Sequence, residues 1–204
     1  MTSLELPPEQ SRPPARAGRP RSKRADRTII DATLDLFAES GAEGLRIEEV
    51  AARAGVGKAT IYRRWPGKEE LLLDALAGLK TPLPEPKGES VRDDLAALVE
   101  AMRLESVDPR RVRQVALLLG EGVRYPRLLE RYVDAVIEPR REVFRAVLRR
   151  GMATGELREA TNVEVAVDIL TGAVLARSRM TQDRIDRGYA RRVVDELLVG
   201  LASR

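Results

Sequence analysis

The sequence predicts an all-α fold in two helical parts, and three observations carry that prediction. Apolar residues recur at i, i+3 and i+4 spacing along nearly all of residues 23–202, the mark of helices with one buried face. No stretch sustains the strict alternation that a half-buried strand requires. The run Thr81-Pro82-Leu83-Pro84-Glu85-Pro86-Lys87-Gly88 breaks the pattern, because its prolines remove donors and clash with the preceding turn. At 204 residues, 43% hydrophobic and 33% charged, the chain has the composition of a soluble folded protein with a sizeable core. Uncharged runs such as 169–176 fall far short of the ~20 apolar residues that cross a bilayer. The polar, Pro-rich start lacks the apolar region of a secretory signal, so the expected location is cytoplasmic, with no membrane partner.

Each element follows from local signals. Residues 1–21, with five prolines among polar residues, predict a disordered basic arm. Seven basic residues lie within 12–27 against one acid, Asp26. Such an arm suits an anionic partner, and equally a solubilising tail. A first helix over about 23–39 would bury Ile29, Ile30, Thr33, Leu34, Leu36 and Phe37, with Gly41 stopping it. Short helices follow over 47–54 (Ile47, Val50, Ala51, Ala54) and 58–64 (Ile61, Tyr62). A fourth covers 67–79, on Leu71, Leu72, Ala75, Leu76 and Leu79. This places an N-terminal helical domain at 22–80, a Pro-rich linker at 81–89 and a larger helical domain at 90–204.

In the larger domain helices are expected near 90–106, 109–119, 126–150, 161–180 and 183–202. Ser90 is the expected N-cap of the first, with Asp93 three residues on as an imperfect capping box. Pro139 should kink or restart the third. The helix over 161–180 is apolar nearly all round, through Val163, Val165, Ala166, Val167, Ile169, Leu170, Ala173, Val174, Leu175 and Ala176, and so requires burial on more than one side. Tyr189, Val193, Leu197 and Leu201 form a ridge on the last helix. A second copy of the chain is the expected partner for these two helices. A deeply buried central helix in a monomer is the alternative.

The absent residue types exclude whole chemistries. Without Cys there is no disulfide, thiolate nucleophile or Cys-ligated metal; without His there is no imidazole base or Ser-His-Asp triad. The carboxylate pairs Glu48-Glu49, Glu69-Glu70 and Asp93-Asp94 are helix neighbours whose side chains diverge. Nothing calls for an enzyme, a metal or a cofactor.

Residues 47–65 have the spacing of a helix-turn-helix. Ala51 supplies the small residue where two helices cross, and Gly55 the residue tolerant of positive φ. Val56 plugs the junction, and Val50 and Ile61 face the first helix. Lys58, Ala59, Thr60, Tyr62, Arg63 and Arg64 are left facing outward, a short cationic surface without an acid. A helix of this kind fits a major groove ~12 Å wide. A helical hairpin with a solvated face is the competing account, although such faces usually mix charge signs.

The run from Leu45-Arg46-Ile47 through Ala54-Gly55-Val56-Gly57-Lys58-Ala59-Thr60-Ile61-Tyr62-Arg63-Arg64-Trp65-Pro66-Gly67-Lys68-Glu69-Glu70-Leu71-Leu72 strongly resembles the TetR family of bacterial transcriptional repressors. The resemblance covers about residues 24–79 and includes the preceding Leu36-Phe37-Ala38-Glu39-Ser40-Gly41. It implies a homodimer whose three-helix N-terminal units bind double-stranded DNA at a palindromic operator. It also implies a C-terminal domain with a small-molecule pocket and a four-helix dimer interface. On this resemblance Lys58, Ala59 and Thr60 face bases beside Gly57, while Tyr62, Arg64 and Lys68 hold phosphates and Arg63 does either. Trp65 anchors the recognition helix. The family commonly has Thr near position 46; Arg46 cannot cap the second helix as Thr does, yet it can reach a phosphate.

The effector is not legible. With seven aromatics in the chain and Phe37, Tyr62 and Trp65 in the N-terminal part, any pocket should be mainly aliphatic. Met102, Leu119, Tyr125, Tyr132 and Phe144 are the candidate lining residues, from a wider set that includes Leu104, Val115, Leu118 and Val147. Arg103 and Arg113 are the cations an acidic ligand would meet. Two other readings fit the residues: a DNA-binding regulator without an inducer, and a helical enzyme or interaction adaptor.

Overall fold

A computed structural model of the chain describes residues 23–180 and 185–201; the basic arm predicted over 1–21 lies outside them. Among the described residues every regular element is a helix: α1 (Lys23–Gly44), α2 (Ile47–Ala54), α3 (Lys58–Tyr62), α4 (Lys68–Ala77), α5 (Val91–Glu105), α6 (Pro109–Glu121), α7 (Pro126–Tyr132), a π-helical segment (Val133–Ile137), α8 (Glu138–Thr154), α9 (Val163–Met180) and α10 (Tyr189–Leu201). None of the described helices is long and apolar enough to cross a membrane.

Two buried cores organise these helices. The first joins Ile29, Leu36 and Phe37 of α1 to Val50, Ile61 and Leu71, and continues into Leu118 of α6, Leu128 and Tyr132 of α7, and Val136. The second is the interior of an α5–α8–α9–α10 bundle, built on Leu95, Val99, Phe144, Leu148, Leu170 and Val194. Residues 81–88 form no helix, but packing does not divide there: α6 and α7 follow them in sequence and share the core of α1–α4.

Caps account for several boundaries. The Ser90 hydroxyl accepts from the Asp93 N–H at 3.2 Å, and the Asp108 carboxylate accepts from the Arg110 N–H at 2.9 Å ahead of Pro109. Gly41 interrupts α1 without ending it. Its φ of 69° and ψ of −174° bend the chain, and helical bonding resumes to Gly44. The Ala42 N–H freed at the bend donates to Glu121 Oε2 of α6 at 3.2 Å.

The single helix expected over 126–150 is interrupted ahead of Pro139. Proline removes an N–H and crowds the carbonyl one turn earlier. The chain widens over Val133–Ile137, where the Glu138 N–H reaches back to Val133 O, and α8 restarts with Pro139 in its first turn. On α9, Ala166, Val167, Leu170 and Val174 are buried, whereas Val165 and Ile169 are 50% and 47% exposed on the other side.

Candidate nucleic-acid interface and interior cavity

α2 ends in a local motif that reverses the chain. Gly55 adopts φ 66°, ψ 35°, the left-handed conformation. Its N–H bonds Ala52 O at 3.2 Å and the Val56 N–H bonds Ala51 O at 3.0 Å, which satisfies carbonyls left over at the helix end. Gly57 leads in extended conformation into α3. Ile61 is fully buried and fixes which side of α3 faces inward. Trp65 is buried too, and its indole N–H donates to Asp74 Oδ2 of α4 at 2.8 Å.

With Ile61 inward, Lys58, Ala59, Tyr62 and Arg63 face solvent and Thr60 is half-buried. Lys58 Nζ lies 3.2 Å from Glu48 Oε1, with both side chains more than half exposed. Exposed pairs of this kind are weak and screened by salt, so a competing anion displaces them readily. Glu48 is held below the ordinary carboxylate range, first by its own backbone N–H at the start of α2 and then by Lys58. Arg63 Nη2 leans on Thr60 Oγ1 at 3.4 Å. Arg46 occupies the N-cap of α2, exposed and without a side-chain cap bond.

Arg64 is not outward as the helical pattern predicts. Its side chain is 13% exposed and ion-paired through Nε with Asp26 of α1, and Nη1 donates to Thr60 O at 2.8 Å. The cause is local. α3 closes at Tyr62, the Arg64 N–H bonds Ile61 O at 2.8 Å in a turn, and Pro66 bars Trp65 from continuing the helix. Lys68 is half-buried, and its Nζ donates to Ala42 O at 3.0 Å and Glu43 O at 3.4 Å, joining α4 to the end of α1.

The second feature is an interior cavity of about 360 Å³ between the two cores. Of the five expected lining residues, Met102, Leu119, Tyr132 and Phe144 line it. Tyr125 does not: its hydroxyl donates to Glu43 Oε2 at 3.1 Å, and it borders a separate surface cleft beside Lys68. Val115 also lines the cavity, whereas Leu118 and Val147 are plain core and Leu104 is 55% exposed. Arg103 is committed elsewhere, to Glu100 at 2.7 Å and Ile185 O at 3.0 Å, and Arg113 is exposed. The cations that do reach the wall are Lys80, Arg140 and Arg141. No sequence signal marks them, because the wall is assembled from α4's exit and six further segments.

Near that wall, Glu105 of α5 is a buried acceptor. It takes the Thr81 N–H and hydroxyl at 2.8 Å each, Arg140 Nη2 at 3.0 Å and Lys80 Nζ at 3.3 Å. The Tyr132 hydroxyl is buried and has no partner among the described residues. Burial pushes that phenol up to about 12; it therefore stays a protonated donor at neutral pH.

A short exposed cationic helix mounted on a three-helix core and joined to a helical bundle describes the architecture of a helix-turn-helix DNA-binding regulator. Comparison with known proteins agrees. Residues 29–75 match the family described as "Bacterial regulatory proteins, tetR family", and residues 85–197 match "Tetracyclin repressor-like, C-terminal domain". The chain is 30% identical over 190 residues to the HTH-type transcriptional regulator YdeS of Bacillus subtilis (strain 168), covering 92% of this chain and 94% of that protein. Among solved structures it is similar to the TetR family transcription regulator SCO0332, with TM-score 0.62 and 28% identity over 89% of this chain and 100% of that one. It also shares the fold of FadR from Bacillus subtilis, solved in complex with stearoyl-CoA, with TM-score 0.60 and 20% identity over 85% and 97% of the two chains. The chain belongs to the TetR family and is a DNA-binding transcriptional regulator.

Proposed function

We propose that the protein is a homodimeric repressor, acting in the cytoplasm, that reads a palindromic operator with two copies of α3 and leaves it when a small molecule fills the interior cavity. The observation that carries this reading is the cavity's position. It lies between the core that holds α1–α4 and the four-helix bundle, so a ligand there prefers one relative placement of the two. A ligand lowers DNA affinity only by binding better to a conformer in which the recognition helices are misplaced. In a two-fold dimer that placement is about 34–36 Å between half-sites.

Lys58, Ala59 and Thr60 are assigned to base edges, and Arg46, Tyr62 and Arg63 to phosphates or, for Arg63, either. Gly57 supports close approach of a phosphate. Its φ of −74° suits any residue, and a Cβ there would meet nothing within 4 Å, so its missing side chain has no internal packing reason. Lys68 keeps an N–H beyond its two carbonyl bonds and stays a phosphate candidate. Arg64 is withdrawn from the contact set, because reaching DNA would strip Asp26 of its partner. For the dimer, the exposed Val165 and Ile169 of α9 continue into a groove along Val193 and Leu197 of α10.

Selection of bound duplexes from random DNA tests the reading. The expected product is a palindrome with one helical turn, or a multiple, between half-site centres. No enrichment even at low salt, where phosphate contacts are strongest, would overturn it. A screen for small molecules that release the selected duplex then tests the ligand-responsive part separately.

A further inference from the structure

The cavity's lining is of two chemical kinds, and the difference specifies what it takes. Its body is hydrocarbon: Met102, Val115, Leu119, Leu129, Phe144 and Leu175. The lining also includes Lys80 and Arg140, which share the single carboxylate of Glu105 behind it. Lys80 is held below the ordinary lysine range, chiefly by burial, with Arg140 and Arg179 adding repulsion. The cluster therefore has more positive than negative charge in a place largely shielded from water. Buried charge without a counter-charge is costly. The unpartnered Tyr132 hydroxyl adds a donor beside the same groups, since Arg140 and Glu105 both act on its titration. Two cations and an unsatisfied donor call for an anionic acceptor, and the hydrocarbon body calls for an apolar tail. Arg141 and Asp168 also line the cavity, but they pair with each other at 2.8 Å and so leave the excess positive charge unchanged.

We propose that the cavity binds a small amphipathic carboxylic acid, whose carboxylate takes hydrogen bonds from Tyr132 and Arg140 and draws Lys80 and Arg140 away from Glu105. This rests on the ligand-responsive reading above and narrows it to a ligand class. The volume lies at the small end of the range for ligand pockets, about 300–1,000 Å³, and favours medium-length tails. The head group also bears on DNA binding. Glu105 holds the N–H and hydroxyl of Thr81, and Arg140 donates to the Thr81 carbonyl. Thr81 and Lys80 are the exit of α4, so a carboxylate that competes with Glu105 loosens the helix that carries the DNA-binding unit.

Calorimetry on the full chain with decanoate, decanol and decyltrimethylammonium, each kept below its micellar concentration, tests the class. Decanoate is expected to bind once per chain, at least tenfold more tightly than the other two. Tyr132→Phe removes only a hydroxyl that has no partner, so its unliganded melting temperature should hold or rise, while decanoate affinity falls roughly tenfold. Glu105→Gln removes the competing charge yet keeps an acceptor for Thr81, and should tighten decanoate several-fold, a gain that a merely structural role would not give. Equal or tighter binding of decanol or the ammonium compound would overturn the acid class and leave ligand control standing. No binding by any of the three would overturn the proposal, while release of the selected operator by other compounds would show the broader reading intact. Unchanged affinity in Tyr132→Phe, or weaker binding in Glu105→Gln, would overturn the head-group assignment.

Discussion

Lys58 and Arg64 bracket the recognition helix and do different work. Lys58 is more than half exposed and paired at 3.2 Å with the likewise exposed Glu48; Arg64 is tucked between Asp26 and the Thr60 carbonyl. Lys58→Ala should leave stability within about 0.5 kcal/mol and relax discrimination at one base position of the selected operator. Arg64→Ala should lower unfolding free energy by roughly 1–2 kcal/mol, between the exposed and buried limits for an ion pair. Urea unfolding and duplex titration on both variants check this. An Arg64→Ala protein of full stability that had lost DNA affinity would return Arg64 to the phosphate contacts. The identity of the outward residues at 58–63 was legible in the sequence, because Ile61 fixes the inward side within one turn. The fate of Arg64 was not, because its partner lies on another helix.

Among elements, the turn of the helix-turn-helix is settled by its own residues. Gly55 takes a left-handed conformation, and the two backbone bonds of the cap close over neighbouring positions. The boundaries of α2 could therefore be read in the sequence to the residue. The bend in α1 depends on distant groups as well. Gly41 occupies a φ, ψ region essentially restricted to glycine, and a Cβ would sit 3.2 Å from Glu121 Oε2, the group that caps Ala42. Gly41→Ala is expected to destabilise by roughly 1–3 kcal/mol, read as a lower urea midpoint. An unchanged midpoint would mean that α1 straightens without loss. Pro139 announced a break in the long helix, but where the break falls was decided by the widened turn upstream of it. Val133 and Ile137 of that segment line the cavity.

For the whole molecule, the sequence pattern already asked for two buried sides on α9, and a single chain buries only one. Ile169→Asp changes a half-exposed position, so the protomer should still fold. Sedimentation is expected to show a monomer, with loss of cooperative binding to the selected palindrome. A variant that stayed dimeric would move the interface elsewhere. The division of the molecule was less visible. The Pro-rich run marks where the chain leaves the first helices, yet α6 and α7 return to their core, and the cavity opens along the seam this creates.

A resemblance over residues 24–79 pointed to the family and to Trp65 as an anchor; by its own local pattern the sequence determined the helical class, the helix-turn-helix and the inward-facing Ile61. Those features rest on periodicity, caps and turns that act over a few residues. Only the tertiary structure decided that Arg64 turns inward, that Tyr125 stays outside the cavity while Tyr132 lines it, and that Lys80, Glu105 and Arg140 meet. These outcomes depend on side chains from separate helices brought together by burial, and no local spacing records which helices will be neighbours.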